Sequence, residues 1–305
     1  MSLRQWLWLG LLSCCWGSAF IFMEIALPMF SPIALVTGRL AVATVVMGGI
    51  LCAQASQRAL LRSLPLSVWL RCGGLSIINN LLPFGLVSWA QQHISANLAS
   101  ILIASAPIFT VVMAVFLLGE PLTFLRSLGI ALGFAGVVVL IGPEVLNGLN
   151  LEGFGELAAL VAAISYAASG FIGARFKKTP PQIVSTLTVA VGTAIILPFT
   201  LLSGLSGVDN SSLVTGWQWS SVLALLALGI IPTAIAYFIY FRMLGEVGVL
   251  STSLVSFLVP LSVLILSAVF LHEHVDALTF VGMSLILGGL AVLDGRLLKK
   301  ATGIV

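Results

Sequence analysis

The sequence predicts an all-α membrane protein with ten transmembrane helices in two inverted five-helix repeats. Three observations carry that expectation. Hydrophobic residues make up 60% of the 305-residue chain and charged residues 8%, whereas a soluble domain carries about 25% charged residues. Too few charges remain to cover the surfaces of the two soluble domains this length would otherwise suggest. Ten continuous apolar segments approach the roughly 20 residues needed to cross a ~30 Å hydrocarbon core. Seven identities recur at a single spacing of 153 residues: Ser100/Ser253, Pro107/Pro260, Leu118/Leu271, Glu120/Glu273, Gly129/Gly282, Gly136/Gly289 and Gly142/Gly295. A unit duplicated at that spacing, and crossing the membrane an odd number of times, re-enters from the opposite side, as secondary transporters typically do.

In chain order, the first five spans run near Trp6–Leu27, Pro32–Ala53, Leu66–Trp89, Ser95–Leu118 and Phe124–Gly142. The second five run near Gly153–Ala174, Pro181–Ser203, Trp217–Phe241, Val249–Leu271 and Ala277–Leu293. The runs are continuous rather than alternating, so helices are preferred over a barrel. Ser56–Pro65, Pro143–Glu152 and Leu205–Gly216 read as polar connectors. The second of these joins a first unit, residues 1–147, to a second, residues 148–305. Arg4 before an apolar run resembles a secretory signal, and Leu11-Leu12-Ser13-Cys14 faintly resembles a lipoprotein cleavage site. With no soluble domain to export, this segment reads as an uncleaved first span. Cys14, Cys15, Cys52 and Cys72 sit in apolar stretches and read as packing residues.

Charge sets the orientation. With ten spans, one face collects Arg4, Arg58, Arg62, Arg126, Arg175, Lys177, Lys178, Arg242, Arg296, Lys299 and Lys300, and Arg71 can snorkel to it. Only Arg39 of the thirteen basic residues falls near the other face. The positive-inside rule then puts both termini in the cytoplasm. The net charge of +3 is spread out, with no basic run of the kind that binds nucleic acid.

Polar groups within the spans mark the candidate substrate path. Pro107 and Pro260 lie mid-span in the two units, and each frees a backbone carbonyl. In lipid such a carbonyl needs a partner or a watery cavity, which makes both prolines candidates for kinks and gating; simple packed kinks are the alternative. Pro83, Pro198 and Pro232 add further breaks with less symmetry. Asn79 and Asn80 lie mid-span, about 100° apart, so one can line a cavity while the other joins helices. Ser100, Ser105, Ser253 and Ser256 offer hydroxyls, though serines often bond only their own helix. Glu24 and Arg39 read either as an ion pair at the outer rim or as a substrate site. Trp16, Tyr166 and Tyr237 are amphipathic aromatics deep in their spans, suited to core packing or to an aromatic cavity wall. Trp6, Trp8, Trp69, Trp89, Trp217 and Trp219 read as interfacial belt residues. Gly129, Gly133 and Gly136 smooth one helix for close packing against the Gly282–Gly289 helix, or at a homodimer contact. His272-Glu273-His274 has too few ligands for a metal site. No catalytic motif, metal set or cofactor loop is present, so no enzyme activity and no cofactor is expected.

The chain resembles the drug/metabolite transporter superfamily, specifically the EamA-type ten-helix exporters. The residues that carry the resemblance are Trp16-Gly17-Ser18-Ala19-Phe20, Pro32 with Arg39, Ala106-Pro107-Ile108-Phe109, and Leu118-Gly119-Glu120 followed by Gly129 to Gly142. Val259-Pro260-Leu261, Leu271-His272-Glu273, Gly282 and Gly289 form the second copy. One departure is Glu24, where the family commonly has a basic residue. The resemblance implies a multi-pass carrier of the bacterial inner (plasma) membrane. Its partners would be the lipid bilayer and a small-molecule substrate, an amino acid or related metabolite moved outward by alternating access, with the aromatic amino-acid exporters as the nearest branch. A facilitative carrier or channel for other metabolites or drugs, a membrane scaffold and a membrane enzyme are the alternatives.

Overall fold

The computed structural model describes residues 2–119, 121, 123–141, 151–173, 175–176, 179–205, 218–240, 242–243, 246, 255–272 and 276–294. Every element described is helical. Helix α1 (Leu3–Ala26) starts at Ser2, whose hydroxyl and Gln5 form a capping box. Helix α2 (Pro32–Ala53) starts at Ser31, which accepts from Ala34 N, with Pro32 in the first turn. A short helix, α3 (Ala55–Ser63), occupies the expected Ser56–Pro65 connector and buries none of its residues. It carries Arg58 and Arg62 on the basic face.

The third expected span is one helical column, α4 (Leu66–Ser76) and α5 (Leu82–Ala90), joined by a π-turn at Ile77–Leu81. The fourth is broken: α6 (Ala96–Ile103) stops before α7 (Ala106–Leu118), and α7 closes on Gly119 at φ 66°. Then follow α8 (Phe124–Ile141), α9 (Leu151–Gly173) and α10 (Pro181–Leu205). Helix α11 (Trp219–Gly229) runs into a second π-turn at Ile230–Ile235 and continues to Tyr240. The last helices are α12 (Val255–Phe270) and α13 (Ala277–Asp294).

Seven helices among the described residues are long and apolar enough to cross a membrane. Three shorter apolar helices, Phe124–Val139, Leu258–Phe270 and Ala277–Gly289, stand where the other three expected spans fall. Phe116, Phe199, Trp219 and Ile265 are exposed on the outside of the bundle, as lipid solvent requires.

The packing has an internal twofold. Helix α1 lies on α12 as its repeat-mate α9 lies on α6 and α7, and the mates α2/α10 and α8/α13 pack on each other. The mates run antiparallel. Thr37 Oγ1 meets Thr200 Oγ1 at 2.6 Å, and Thr44 Oγ1 meets Thr193 Oγ1 at 2.9 Å. At the α8–α13 crossing, a Cβ on Gly136 would stand 2.7 Å from Gly282 O, and one on Gly289 2.6 Å from Gly129 O. The small residues therefore let these two backbones touch. Glu120, Gly142, Glu273, His274, Gly295 and Ser253 lie outside the described residues.

Candidate substrate cavity

Arg39 is the centre of the site. It sits on the second turn of α2, and its residue surface is only 7% exposed. An unpaired buried ion costs several kcal/mol even after relaxation, so its partners matter. Its Nε donates to Thr233 Oγ1 at 3.0 Å, and its guanidinium carbon lies 3.7 Å from the centroid of the Phe84 ring. A desolvated cation–π contact of this kind contributes about 2 kcal/mol. Tyr166 and Tyr237 are its electrostatic neighbours. No carboxylate pairs with it among the described residues.

The sequence explains how Thr233 is placed. Pro232 has no N–H, so it leaves the carbonyl of Leu228, four residues back, without its helical donor. The Thr233 hydroxyl donates to that carbonyl at 3.0 Å, and its lone pair accepts from Arg39. The π-turn supplies the local unwinding that lets both bonds form. The other π-turn, at Ile77–Leu81, lies at the same 153-residue offset. There Ser165 Oγ donates to Ile78 O at 2.6 Å, again a hydroxyl satisfying a carbonyl in an irregular turn.

A cavity of about 840 Å³ lies among the two units. Arg39, Trp16, Asn79, Ser100, Tyr166, Tyr237 and Pro107 line it, together with Phe84, Pro232 and Thr233. Asn79 Nδ2 donates to Asn80 Oδ1 at 3.0 Å, and Asn79 Oδ1 accepts from Ser169 Oγ at 2.9 Å. Tyr237 pairs with Asn79 as well. Trp16 packs on Tyr240 with centroids 5.6 Å apart. Ser100 Oγ donates to Asn97 O at 2.8 Å, the self-helix bond that serines favour.

The remaining sequence candidates sit elsewhere. Asn80 is fully buried behind the lining, with Oδ1 paired and Nδ2 unpartnered. Glu24 is outside the lining and accepts from Gln91 Nε2 at 3.4 Å, while the same Nε2 donates to Phe20 O at 2.9 Å. The Glu24–Arg39 ion pair allowed by the sequence is therefore not formed: each side chain is turned to a different partner. Pro260 is buried inside the continuous helix α12, outside the cavity wall. The backbone of Ser256 belongs to α12; its side chain, and all of Ser253, lie outside the description.

One end of the bundle is tightly packed with apolar side chains. Where α1 and α5 end and α2, α6, α9 and α11 begin, one apolar cluster joins Met23, Ala26, Leu35, Ala90, Ala96, Ala158 and Ala224. Ser221 Oγ to Ile25 O at 2.8 Å and Ser267 Oγ to Asn97 Oδ1 at 2.8 Å add polar ties to this packing. Glu156 is buried on α9 near the same end. At the other end the apolar contacts split into two groups. One joins Leu9, Leu12, Ile239 and Met243, the other Leu51, Cys72, Ile183 and Leu187. The cavity wall reaches Phe176, Thr179 and the exposed Pro181 on that side.

Sequence reasoning missed Thr233, Phe84, Ser169, Gln91 and Glu156. A signal existed for two of them: Thr233 is the repeat-mate of Asn80, and Phe84 that of Tyr237.

A bundle of apolar helices around a largely apolar cavity that holds one buried cation suits a membrane transporter, and the comparisons with known proteins agree. The chain belongs to the EamA-like transporter family, whose model matches it twice, at residues 4–142 and 153–293. It is 33% identical over 201 residues to a probable amino-acid metabolite efflux pump of Salmonella typhimurium, covering 65% of this chain and 67% of that one. It is 27% identical over 305 residues to a probable terminal-alkyne amino-acid exporter of Streptantibioticus cattleyicolor, covering 98% of this chain and 97% of that one. A solved crystal structure of a protein shares the fold at a TM-score of 0.63 and 22% identity, covering 96% of this chain and 97% of that one.

Proposed function

We propose that this protein is a secondary transporter that exports amino acids or related small metabolites from the cytoplasm by alternating access. It would act with ten spans, in two inverted units of residues 1–147 and 148–305, in the bacterial inner (plasma) membrane. The observation that carries this reading is the cavity beside Arg39, with apolar packing above it and lining residues that reach the exposed Pro181 below it. A channel needs a path through both ends; a carrier needs one end shut at a time. The open end is the face to which the sequence assigns twelve of the thirteen basic residues. The positive-inside rule makes that face cytoplasmic, so the cavity loads from inside. Arg39, Trp16, Asn79, Tyr166, Tyr237 and Ser100 are the substrate-binding candidates. Glu24 belongs to the outer packed end through Gln91, and Pro107 marks the flexible break. The names of the relatives quoted above support the amino-acid reading.

The test is counterflow in proteoliposomes with the twenty amino acids and a panel of metabolites. Saturable accumulation of labelled substrate driven by unlabelled substrate is expected. Conduction that never saturates would replace the carrier with a channel, and no flux of any panel member would remove the amino-acid reading.

A further inference from the structure

We infer that the cavity selects its substrate by a carboxylate on an apolar body rather than by an amine, so that its substrate class is the apolar and aromatic monocarboxylates, amino acids among them. This deepens the transport reading and rests on it.

The argument starts from the donors of Arg39. A guanidinium has five N–H groups. Its Nε is committed to Thr233, and no protein atom among the described residues accepts from either terminal nitrogen. Neither terminal nitrogen is among the sealed-off unpartnered atoms, whereas Asn80 Nδ2 is. They therefore meet the cavity that Arg39 lines. With Nε occupied, the side-on fork is closed and the end-on fork, Nη1 with Nη2, stays open. That fork matches the two oxygens of one carboxylate. The residue surface is more than nine-tenths buried, so the pair would form away from bulk water, where charge-assisted bonds are strongest.

The second half of the argument is what the wall lacks. Among the described residues Arg39 is the one ionised side chain in it, and no described Asp or Glu lines it. Glu24, the nearest candidate for an ammonium, is in the packed end with Gln91. A substrate ammonium would bring three donors and find no carboxylate to meet them, while Trp16, Tyr240 and Val259 offer apolar and aromatic surface. One buried positive charge balances one carboxylate; a phosphate dianion would leave a charge uncompensated.

The experiment is isothermal titration of the purified full chain in detergent with phenylalanine, 3-phenylpropionate and phenylalaninamide. The first two carry the carboxylate, and the third keeps only the amine. We expect 3-phenylpropionate to bind at least as tightly as phenylalanine, and phenylalaninamide at least tenfold more weakly. Arg39→Gln should erase the difference between the three ligands, and Arg39→Lys, a point charge without the fork, should restore part of it. Phenylalaninamide binding within twofold of phenylalanine would overturn the inference, as would failure of all three to bind. The ligand series on the unaltered protein decides the matter even if Arg39→Gln does not fold. Counterflow separates the two readings. Carboxylates that bind but are never moved would sink transport and leave the selectivity standing; phenylalaninamide moved as fast as phenylalanine would do the reverse.

Discussion

The two units carry the same proline at the same place, and their helices differ there. Pro107 follows a break at residues 104–105 and lines the cavity, whereas Pro260 is buried in the unbroken helix α12. The π-turns show the same divergence: both units have one, yet Thr233 in the second holds Arg39 while its mate Asn80 in the first is sealed behind the wall. At the chain ends of the same columns, Arg242 and Glu246 form an ion pair at 2.9 Å, and their mates Trp89 and His93 form a ring contact at 4.6 Å. Duplication therefore kept the π-turn in both units but not the break at the proline, and it changed the side chains that use these positions. That is the expected result when one copy faces the basic side of the membrane and the other the opposite side, because the two ends meet different solvents and different partners.

The largest effect should come where the two units remain equivalent. Gly136→Val and Gly289→Val each drive a side chain into the backbone of the opposing helix. Overpacking typically costs about 1–3 kcal/mol and more when backbone cannot yield, so folded protein on size exclusion should drop to a small fraction in both. Gly48→Ala, with nothing within 4 Å of its Cβ, should leave yield unchanged. A sharp loss in only one of the valine pair would show that the crossing is not symmetric.

Next come the mates that differ. Thr233→Val strands the Arg39 Nε and the Leu228 carbonyl. At about 1–3 kcal/mol for an unsatisfied buried group, transport efficiency should fall by roughly tenfold or more. Asn80→Leu removes a group that does not touch the cavity and should change the half-saturation constant by less than about threefold, with any loss appearing in yield. Equal losses in both would erase the functional distinction between the π-turns.

The proline pair follows. Pro107→Ala gives the Ile103 carbonyl a donor and favours a continuous helix. Turnover measured by counterflow should fall several-fold with binding little changed, whereas Pro260→Ala should have a smaller effect. A larger effect at Pro260 would mean that the continuous helix α12 is the element that must bend.

The smallest effect concerns the surface ion pair. Glu246 accepts from Arg242 at 2.9 Å and lies 3.3 Å from Arg4, and these cations hold its carboxyl below the usual range. A lowered folded-state value adds stability above the unfolded pKa and loses it as pH falls through the folded one. The melting temperature of the native chain should therefore lose a slight increment on acidification below the ordinary carboxylate range. Glu246→Gln should lack that increment. An identical acid profile in the variant would assign the pair no role, as many exposed pairs have none.

The apolar helices, the offset of 153 residues and some of the cavity-lining residues, Trp16, Arg39, Asn79, Tyr166 and Tyr237 among them, were legible in the sequence, because lipid imposes a composition that nothing else satisfies. Helix pairing at Gly129–Gly136 was legible for the same kind of reason: only small residues let backbones touch without a hydrophobic drive. The division of the polar residues between wall, packed end and interior was not legible. Asn79 and Asn80 are neighbours with one chemistry, and only the rotation of the helix puts the first in the cavity and hides the second. Arg39 and Glu24 could pair or share a substrate site because they are close in depth, yet depth along a helix does not fix direction around it. The partner of Arg39 is 194 residues away, on a turn unwound at Pro232. The sequence by itself determined the solvent, the duplication and the family. The tertiary structure decided which charge was left open to the cavity, because that depends on packing around each helix and not on position along it.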